Sequence, residues 1–85
     1  MNSKYDWQIG QNLRKLRLER RLTQEQVSAQ LQLCGCDVTR SALAKIETGT
    51  RHLYPDEIYA LHIILKASYD EIFPPLTENM IPDSK

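Results

Sequence analysis

Residues 38–49 read Val-Thr-Arg-Ser-Ala-Leu-Ala-Lys-Ile-Glu-Thr-Gly, and this stretch decides the fold. Thr39 is suited to cap a helix, because its hydroxyl can accept a hydrogen bond from a free first-turn amide. Leu43 and Ile46 then place two apolar side chains on one face of that helix. Gly49 ends it, since glycine readily takes the left-handed conformation that follows many helices. The stretch predicts a short helix over about residues 40–48 whose remaining surface is mostly polar.

Two more helices are predicted before this stretch. The first, over about residues 7–20, carries apolar side chains at helical spacing, namely Ile9, Leu13 and Leu16. The second begins with a capping box, in which the Thr23 hydroxyl accepts from a first-turn amide and the Gln26 side chain reaches back. Its inward face carries two apolar residues, Val27 and Leu31. Gly35 is expected to stop this helix.

Two helices are predicted after the stretch. Pro55 fits the first turn of a fourth helix, because an amide proton there would have no partner within the helix. The apolar stripe of this helix consists of Ile58, Leu61 and Leu65. Ser68 and Glu71 form another capping box, which opens a last short helix that runs through Phe73. The two prolines at 74 and 75 end it.

The composition fits a small all-α globular domain. No segment alternates apolar and polar residues over the length of a strand, so five helices around one core are predicted. We expect the domain to span residues 1–73 and a flexible tail to span residues 74–85.

The apolar run at 63–65 is far shorter than the roughly 20 residues that a membrane-spanning helix needs. No secretory signal is visible, and a cytoplasmic location is therefore expected.

The charged residues are unevenly distributed, although the formal net charge is zero. Residues 1–51 hold nine Lys and Arg against five Asp and Glu, whereas residues 52–85 hold two against six. The first part of the chain is therefore basic and the second part acidic. Such an asymmetry can direct one face of a protein toward a polyanion such as DNA, whose phosphates attract cations.

Two segments resemble the helix-turn-helix of Xre and Cro/CI-type DNA-binding domains, which have the lambda-repressor-like fold. These are residues 22–27, LTQEQV, and residues 38–49, VTRSALAKIETG. Residues 65–73 are similar to the closing helices of that family. The resemblance implies a regulator of transcription, expected to be a repressor, that reads double-stranded DNA with its third helix.

The resemblance also implies which side chains meet the bases. The first turns of a recognition helix lie closest to the floor of the major groove, and here they carry Arg40, Ser41, Ala44 and Lys45. Arg40 and Lys45 can donate to guanine, a contact worth about 1–3 kcal/mol of discrimination, so guanine-containing half-sites are predicted. Ser41 can bond to several bases, and Ala44 can contact a thymine methyl group. The alternative is that all four form a solvated helix face.

Further residues are expected to hold the DNA backbone or to join the helices. Gln24 matches the family residue that clamps a phosphate at the start of the second helix, where free amides favour an anion. Three more backbone contacts are expected around the recognition helix: Thr39, Thr48 and Arg51. For Gln24 and Arg51, ordinary surface solvation is the alternative. Arg17 and Glu47 match an ion pair between the first and third helices, which we expect to be structural.

The connection between the second and third helices departs from the usual helix-turn-helix. A turn of about three or four residues is usual, whereas residues 32–37, QLCGCD, make this connection about five residues longer. A longer connection can change the angle at which the third helix enters the groove. It holds Cys34 and Cys36, but a zinc site needs about four ligands, so a reduced structural turn is favoured over a metal site. Redox control of DNA binding stays open as an alternative.

The predicted partner is an inverted-repeat DNA site bound by a homodimer. Two recognition helices can then reach half-sites about 34 Å apart on one face of the duplex. The alternative is an adaptor or antitoxin-like protein that binds a protein partner through apolar tail residues, namely Leu76, Met80 and Ile81. The sequence contains no Gly-rich phosphate loop or nucleophile elbow. No enzymatic activity, cofactor, metal or small-molecule effector domain is therefore expected.

Overall fold

Five α-helices form the described part of the chain, residues 3–75 of a computed structural model. They are α1 (Ser3–Glu19), α2 (Gln24–Leu33), α3 (Arg40–Glu47), α4 (Pro55–Ile64) and α5 (Tyr69–Ile72). No strand occurs within residues 3–75, so the predicted all-α, five-helix fold is confirmed. No helix in this range is long and apolar enough to cross a membrane.

The helix starts follow the capping signals in the sequence. Thr23 Oγ1 accepts from the Gln26 amide at 3.0 Å, and the Gln26 side chain accepts from the Thr23 amide at 2.8 Å. Thr39 Oγ1 accepts from the Ala42 amide at 3.1 Å, and Ser68 forms the predicted box with Glu71. Pro55 lies in the first turn of α4. The predicted starts of α2 to α5 are therefore confirmed.

The first helix is longer at its start than predicted. It begins at Ser3 instead of Trp7, because Tyr5 lies four residues before Ile9 and extends the apolar face of α1 by one turn. It ends at Glu19, and Arg21 follows in the left-handed conformation with a φ of 57°. The Tyr5 hydroxyl donates to the Pro74 carbonyl at 2.9 Å. Pro74, predicted to begin the flexible tail, is thus held against α1.

The core lies where α1 packs against α3 and α5, and where α2 packs against α3 and α4. Its fully buried larger side chains are Leu13, Val27, Leu31, Val38, Leu43, Ile46, Leu61, Leu65 and Ile72. One member of the predicted α4 stripe differs, because Ile58 is only partly buried whereas Ala60 is buried. The tail residues on which the alternative adaptor function depends, Leu76, Met80 and Ile81, lie outside the described residues.

The connection between α2 and α3 is longer than the usual three or four residues, but by two or three residues instead of the predicted five. The second helix continues to Leu33, which leaves six residues, 34–39, before α3. Gly35 has a φ of 87°, as expected for the residue that turns the chain out of α2. Cys36 and Val38 are buried in the core, and Ser28 Oγ of α2 donates to the Val38 carbonyl at 2.7 Å. These contacts anchor the connection to the core and fix the position of the N-terminus of α3.

The first and third helices approach each other closely at Gly10. A Cβ atom at this position would lie 2.3 Å from the Ile46 carbonyl oxygen and 2.6 Å from that of Glu47. No side chain larger than hydrogen fits between the two backbones. Gln11 Nε2 donates to the same Glu47 carbonyl at 3.0 Å. Gly10 therefore sets the distance between α1 and the C-terminal end of α3.

Candidate nucleic-acid interface

The outer face of α3 presents the four side chains that were predicted to meet bases. Arg40, Ser41 and Lys45 are exposed, and Ala44 is partly buried between them. The opposite face of the helix carries Leu43, Ile46 and Glu47, all buried. This division follows from helical periodicity, because residues three or four positions apart share a face, as the pairs 40/44, 41/44 and 41/45 do. The structure therefore brings the four residues together on one exposed surface.

A cleft with four arginines lies beside the start of α3. It has a volume of about 550 Å³ and opens to solvent. We call it the arginine cleft, and it is lined by Arg14, Arg17, Leu18, Arg21, Leu22, Thr23, Gln24, Glu25 and Arg40. It thus joins the second half of α1, the start of α2 and the first residue of α3. Arg40 belongs both to this cleft and to the outer face of the recognition helix.

Two of these arginines, Arg14 and Arg21, were missed by sequence reasoning. Their side chains are exposed, and like that of Arg40 they form no ion pair or side-chain hydrogen bond with another residue in the range 3–75. Arg14 lies three residues before Arg17 on α1, and this helical spacing could have indicated it, whereas Arg21 follows the end of α1 and gives no such signal. The guanidinium groups of Arg14, Arg21 and Arg40 therefore line one cleft without an ion-pair or hydrogen-bond partner among the described residues.

The N-terminus of α2 forms one wall of the arginine cleft. The Thr23 hydroxyl caps the amide of Gln26, which leaves the amides of Gln24 and Glu25 without an acceptor among the described residues. Free amides and the positive end of the helix dipole favour an anion at such a position. Glu25 is the one acidic residue in the cleft lining, so positive charge predominates there.

A buried carboxylate holds the three helices of the interface together. Glu47 is 2% exposed, and its carboxylate accepts from Arg17 Nε at 2.7 Å and from Arg17 Nη2 at 3.1 Å. Gln24 Nε2 donates to Glu47 Oε1 at 3.0 Å, while Arg17 Nη1 donates to the Leu22 carbonyl at 2.9 Å. The predicted partners Arg17 and Glu47 thus form a two-pronged pair, and Gln24 joins it. The Gln24 amide nitrogen is engaged inside the protein, so its backbone amide is the better group for a phosphate.

The two predicted threonine contacts differ in what they can donate. Thr39 Oγ1 accepts from the Ala42 amide, so its own hydroxyl proton stays available to a phosphate oxygen. Thr48 Oγ1 donates toward the carbonyls of Ala44 and Lys45, at 3.2 and 3.1 Å. Its proton is therefore committed to the end of α3. Thr39 is chemically suited to a backbone contact, and Thr48 is less so.

Arg51 is directed toward α4 instead of toward solvent. Its Nη1 and Nη2 donate to the Glu57 carboxylate at 2.9 and 3.1 Å, and Nη1 also donates to the His52 carbonyl. Hydrogen bonding from Arg51 holds the pKa of Glu57 below its usual value, and the same bond raises the pKa of Arg51. Arg51 is only partly exposed. Most of its hydrogen-bonding capacity serves the loop between α3 and α4.

The two cysteines of the connection lie in different environments. Cys34 is exposed and Cys36 is buried, and both are free thiols. Burial raises the pKa of the Cys36 thiol, and the nearby carboxylates of Asp56 and Glu57 raise it further. Within residues 3–75 no group of three or more His, Cys, Asp or Glu side chains is arranged to hold a metal ion.

The comparisons with known proteins agree with this geometry. The chain matches the helix-turn-helix domain family over residues 8–72, and it belongs to that DNA-binding family. The match includes α2, α3 and all the residues that line the arginine cleft. No curated protein and no solved structure matches the chain.

Proposed function

We propose that this domain binds double-stranded DNA in a sequence-dependent manner, as a homodimer on an inverted repeat, and regulates transcription. In this proposal α3 enters the major groove, a slot about 12 Å wide that admits one helix. Where its site overlaps a promoter, the bound protein excludes the polymerase and acts as a repressor. Membership of the helix-turn-helix domain family supports DNA binding as the activity.

The observation that carries the proposal is the arginine cleft beside the exposed face of α3. The side chains of Arg14 and Arg21 and the free amides at the start of α2 converge on one space. A phosphate needs both cations and hydrogen-bond donors, and this space offers them together. A phosphate held there would fix the position of α3 on the duplex, because Arg40 lines the same cleft.

The roles of the exposed residues follow from their chemistry. Arg40 presents a planar fork that matches O6 and N7 of guanine, and Lys45, five residues later, can donate to the same atoms as a point charge. Ser41 and Ala44 contribute contacts that discriminate less. The Thr39 hydroxyl and the Gln24 amide contact the backbone.

The test is selection of bound duplexes from random DNA, performed with the native protein, Arg40→Ala and Arg14→Ala. The native protein is expected to select an inverted repeat with guanine in each half. Arg40→Ala should lose the preference at one base pair per half-site, at about 1–3 kcal/mol. Arg14→Ala should select the same sequence as the native protein but bind it more weakly, with a salt slope smaller by about one.

Each part of the proposal has an outcome that contradicts it. If no discrete complex with DNA forms at low salt, the proposal that the domain binds DNA is wrong. An unchanged selected sequence for Arg40→Ala, with uniformly weaker binding, would reassign Arg40 to the backbone. If Arg14→Ala alters the sequence but not the salt slope, the arginine cleft is not a phosphate site. Circular dichroism of both variants provides the check on folding.

A further inference from the structure

The loop between α3 and α4, residues 48–54, packs against the first turns of α1. A Cβ atom on Gly49 would lie 2.7 Å from the Cα atom of Trp7, so the backbones of the loop and of α1 are in contact. A cavity of about 90 Å³ lies at the same junction. It is lined by Asp6, Ile9, Ile46, Arg51, His52, Leu53 and Ile58. The cavity therefore lies where α1, the end of α3, the loop and α4 meet.

Asp6 places a buried carboxylate oxygen at this junction. Its Oδ2 has no hydrogen-bond partner within residues 3–75, and a buried charged oxygen without a donor is unfavourable. His52 Nδ1 lies 3.7 Å from this oxygen, which is close enough for an ion pair but too far for a hydrogen bond. The His52 side chain is 57% exposed, so the imidazole has room to rotate. A shift of about 0.8 Å would bring the two atoms to the length of a charge-assisted hydrogen bond.

The other charged groups at the junction leave the carboxylate of Asp6 uncompensated. Of the residues that line the cavity, Arg51 is the one other cation, and its guanidinium donates two hydrogen bonds to Glu57 of α4. The end of α3 contributes only an apolar side chain, Ile46. The charge of Arg51 is therefore balanced by that of Glu57. A proton on His52 would supply both the positive charge and the donor that Asp6 lacks.

We propose that Asp6 is a positioning residue, which anchors the α3–α4 loop to α1 through protonated His52 and so raises the affinity for DNA as the pH falls from 8 to 6. Histidine is the side chain that ordinarily gains its charge in this range. The ion pair forms only with the charged imidazole. Its contribution to folding is therefore present at pH 6 and is lost as the pH rises to 8.

The effect on DNA deepens the proposed function and rests on it. The loop follows α3 directly and carries two of the residues predicted to contact the DNA backbone, Thr48 and Arg51. A loop that is already fixed on α1 loses less conformational freedom when DNA binds, so association costs less. Asp6 and His52 then act without touching a base. The gain in affinity should therefore be the same for every DNA sequence.

The first test is urea unfolding of the whole chain without DNA, at pH 6, 7 and 8. Between pH 8 and pH 6 the unfolding equilibrium constant of the native protein should fall about three- to tenfold more than that of Asp6→Asn or His52→Gln. The double variant should behave like either single variant, since each change alone breaks the pair. Asp37→Asn is the matched control, because it removes an exposed carboxylate in the α2–α3 connection. It should keep the pH dependence of the native protein.

The second test is the affinity for the selected duplex at pH 6 and pH 8, measured at one ionic strength. From pH 8 to pH 6 the affinity of the native protein should rise about threefold more than that of Asp6→Asn or His52→Gln. The alternative is that protonated His52 contacts a phosphate directly. In that case His52→Gln loses the pH dependence, but Asp6→Asn retains it. Asp6→Asn therefore separates a positioning role from a direct contact.

The proposal is wrong if unfolding of the native protein and of Asp6→Asn depends on pH to the same extent. It is also wrong if Asp37→Asn loses the pH dependence, because the effect would then not belong to the pair of Asp6 and His52. Retention of the native pH dependence of DNA affinity by Asp6→Asn would reassign His52 to a phosphate contact. If the native protein binds no DNA at either pH, the proposed function fails, whereas the unfolding measurements still decide whether the pair forms.

Discussion

Arg17 and Glu47 form a buried, two-pronged ion pair between α1 and the last residue of α3, with Nε and Oε2 2.7 Å apart. Removing one member of a buried pair leaves the other charge without compensation. We therefore expect Glu47→Gln to lower the free energy of unfolding by about 3–5 kcal/mol. Urea unfolding, followed by the fluorescence of Trp7, the one tryptophan of the chain, measures this loss.

The matched control for this prediction is the double variant Arg17→Met with Glu47→Leu. Replacing both charges by apolar side chains of similar volume removes the desolvation cost of the pair. The double variant should therefore be more stable than either single variant. Strictly additive losses would show that the two residues do not interact in the folded protein.

Gly10→Ala is expected to destabilise the domain, against the usual preference for alanine in a helix. In an unobstructed helix the change would stabilise by roughly 0.5–1 kcal/mol. Here the new Cβ would meet the Ile46 carbonyl oxygen at 2.3 Å, so α1 and α3 must move apart. We expect a net loss of about 1–3 kcal/mol, as for an overpacked core.

Thermal unfolding measures whether Gly10→Ala is less stable than the native protein. DNA affinity tests a second consequence, the displacement of α3. Because α3 is displaced from α1, affinity should fall even at temperatures where Gly10→Ala is fully folded. Gln8→Ala is a suitable control, since it changes a partly buried position of the same helix that the close approach does not involve. A more stable Gly10→Ala protein would contradict the described distance between the two helices.

The ion pair of Arg51 and Glu57 makes part of the stability depend on pH. Its hydrogen bonds lower the pKa of Glu57 in the folded state from an ordinary value near 4.5. The contribution of Glu57 is therefore complete above that ordinary value and is lost as the pH falls through the lowered folded-state value. Native protein should thus lose more stability than Glu57→Gln between neutral pH and about pH 3. Parallel stability curves for the two proteins would show that the pair contributes nothing to folding.

Much of the fold could be predicted from the sequence because its signals are local. A capping box such as Thr23 with Gln26 involves groups three residues apart, and the apolar spacing of α1 is a property of one helix. The exposed residues of α3, including Arg40 and Lys45, follow from the same periodicity. These features can be recognised without knowing which residues pack against each helix.

The features that could not be predicted depend on contacts between distant residues. Arg14 and Arg21 become candidate phosphate ligands only when α1 ends beside the start of α2 and Arg40. The sequence predicts that Arg51 contacts the DNA backbone, but Glu57, buried on α4, engages it through two hydrogen bonds. Gly10 is unremarkable in the sequence until the α3 backbone lies against it. Each depends on the packing of two helices, which residue spacing does not reveal.

The two thiols of the connection are expected to react at different rates with a chromogenic disulfide reagent. Cys34 is exposed and should react at a rate close to that of an unfolded thiol. Cys36 is 5% exposed, its Sγ lies 3.7 Å from the Asp56 carbonyl oxygen, and its raised pKa leaves little thiolate. It should stay protected until the connection opens, and both thiols should react quickly in denaturant.

A disulfide between the two would require Cys36 to leave the core, so mild oxidation should modify Cys34 alone and leave DNA affinity unchanged. Cys34→Ser provides the control, since its remaining thiol should react slowly and its DNA affinity should be insensitive to oxidant. Rapid reaction of both thiols in the native protein would instead favour redox control of DNA binding. Cys36, which anchors the connection in the core, would then be accessible to oxidants.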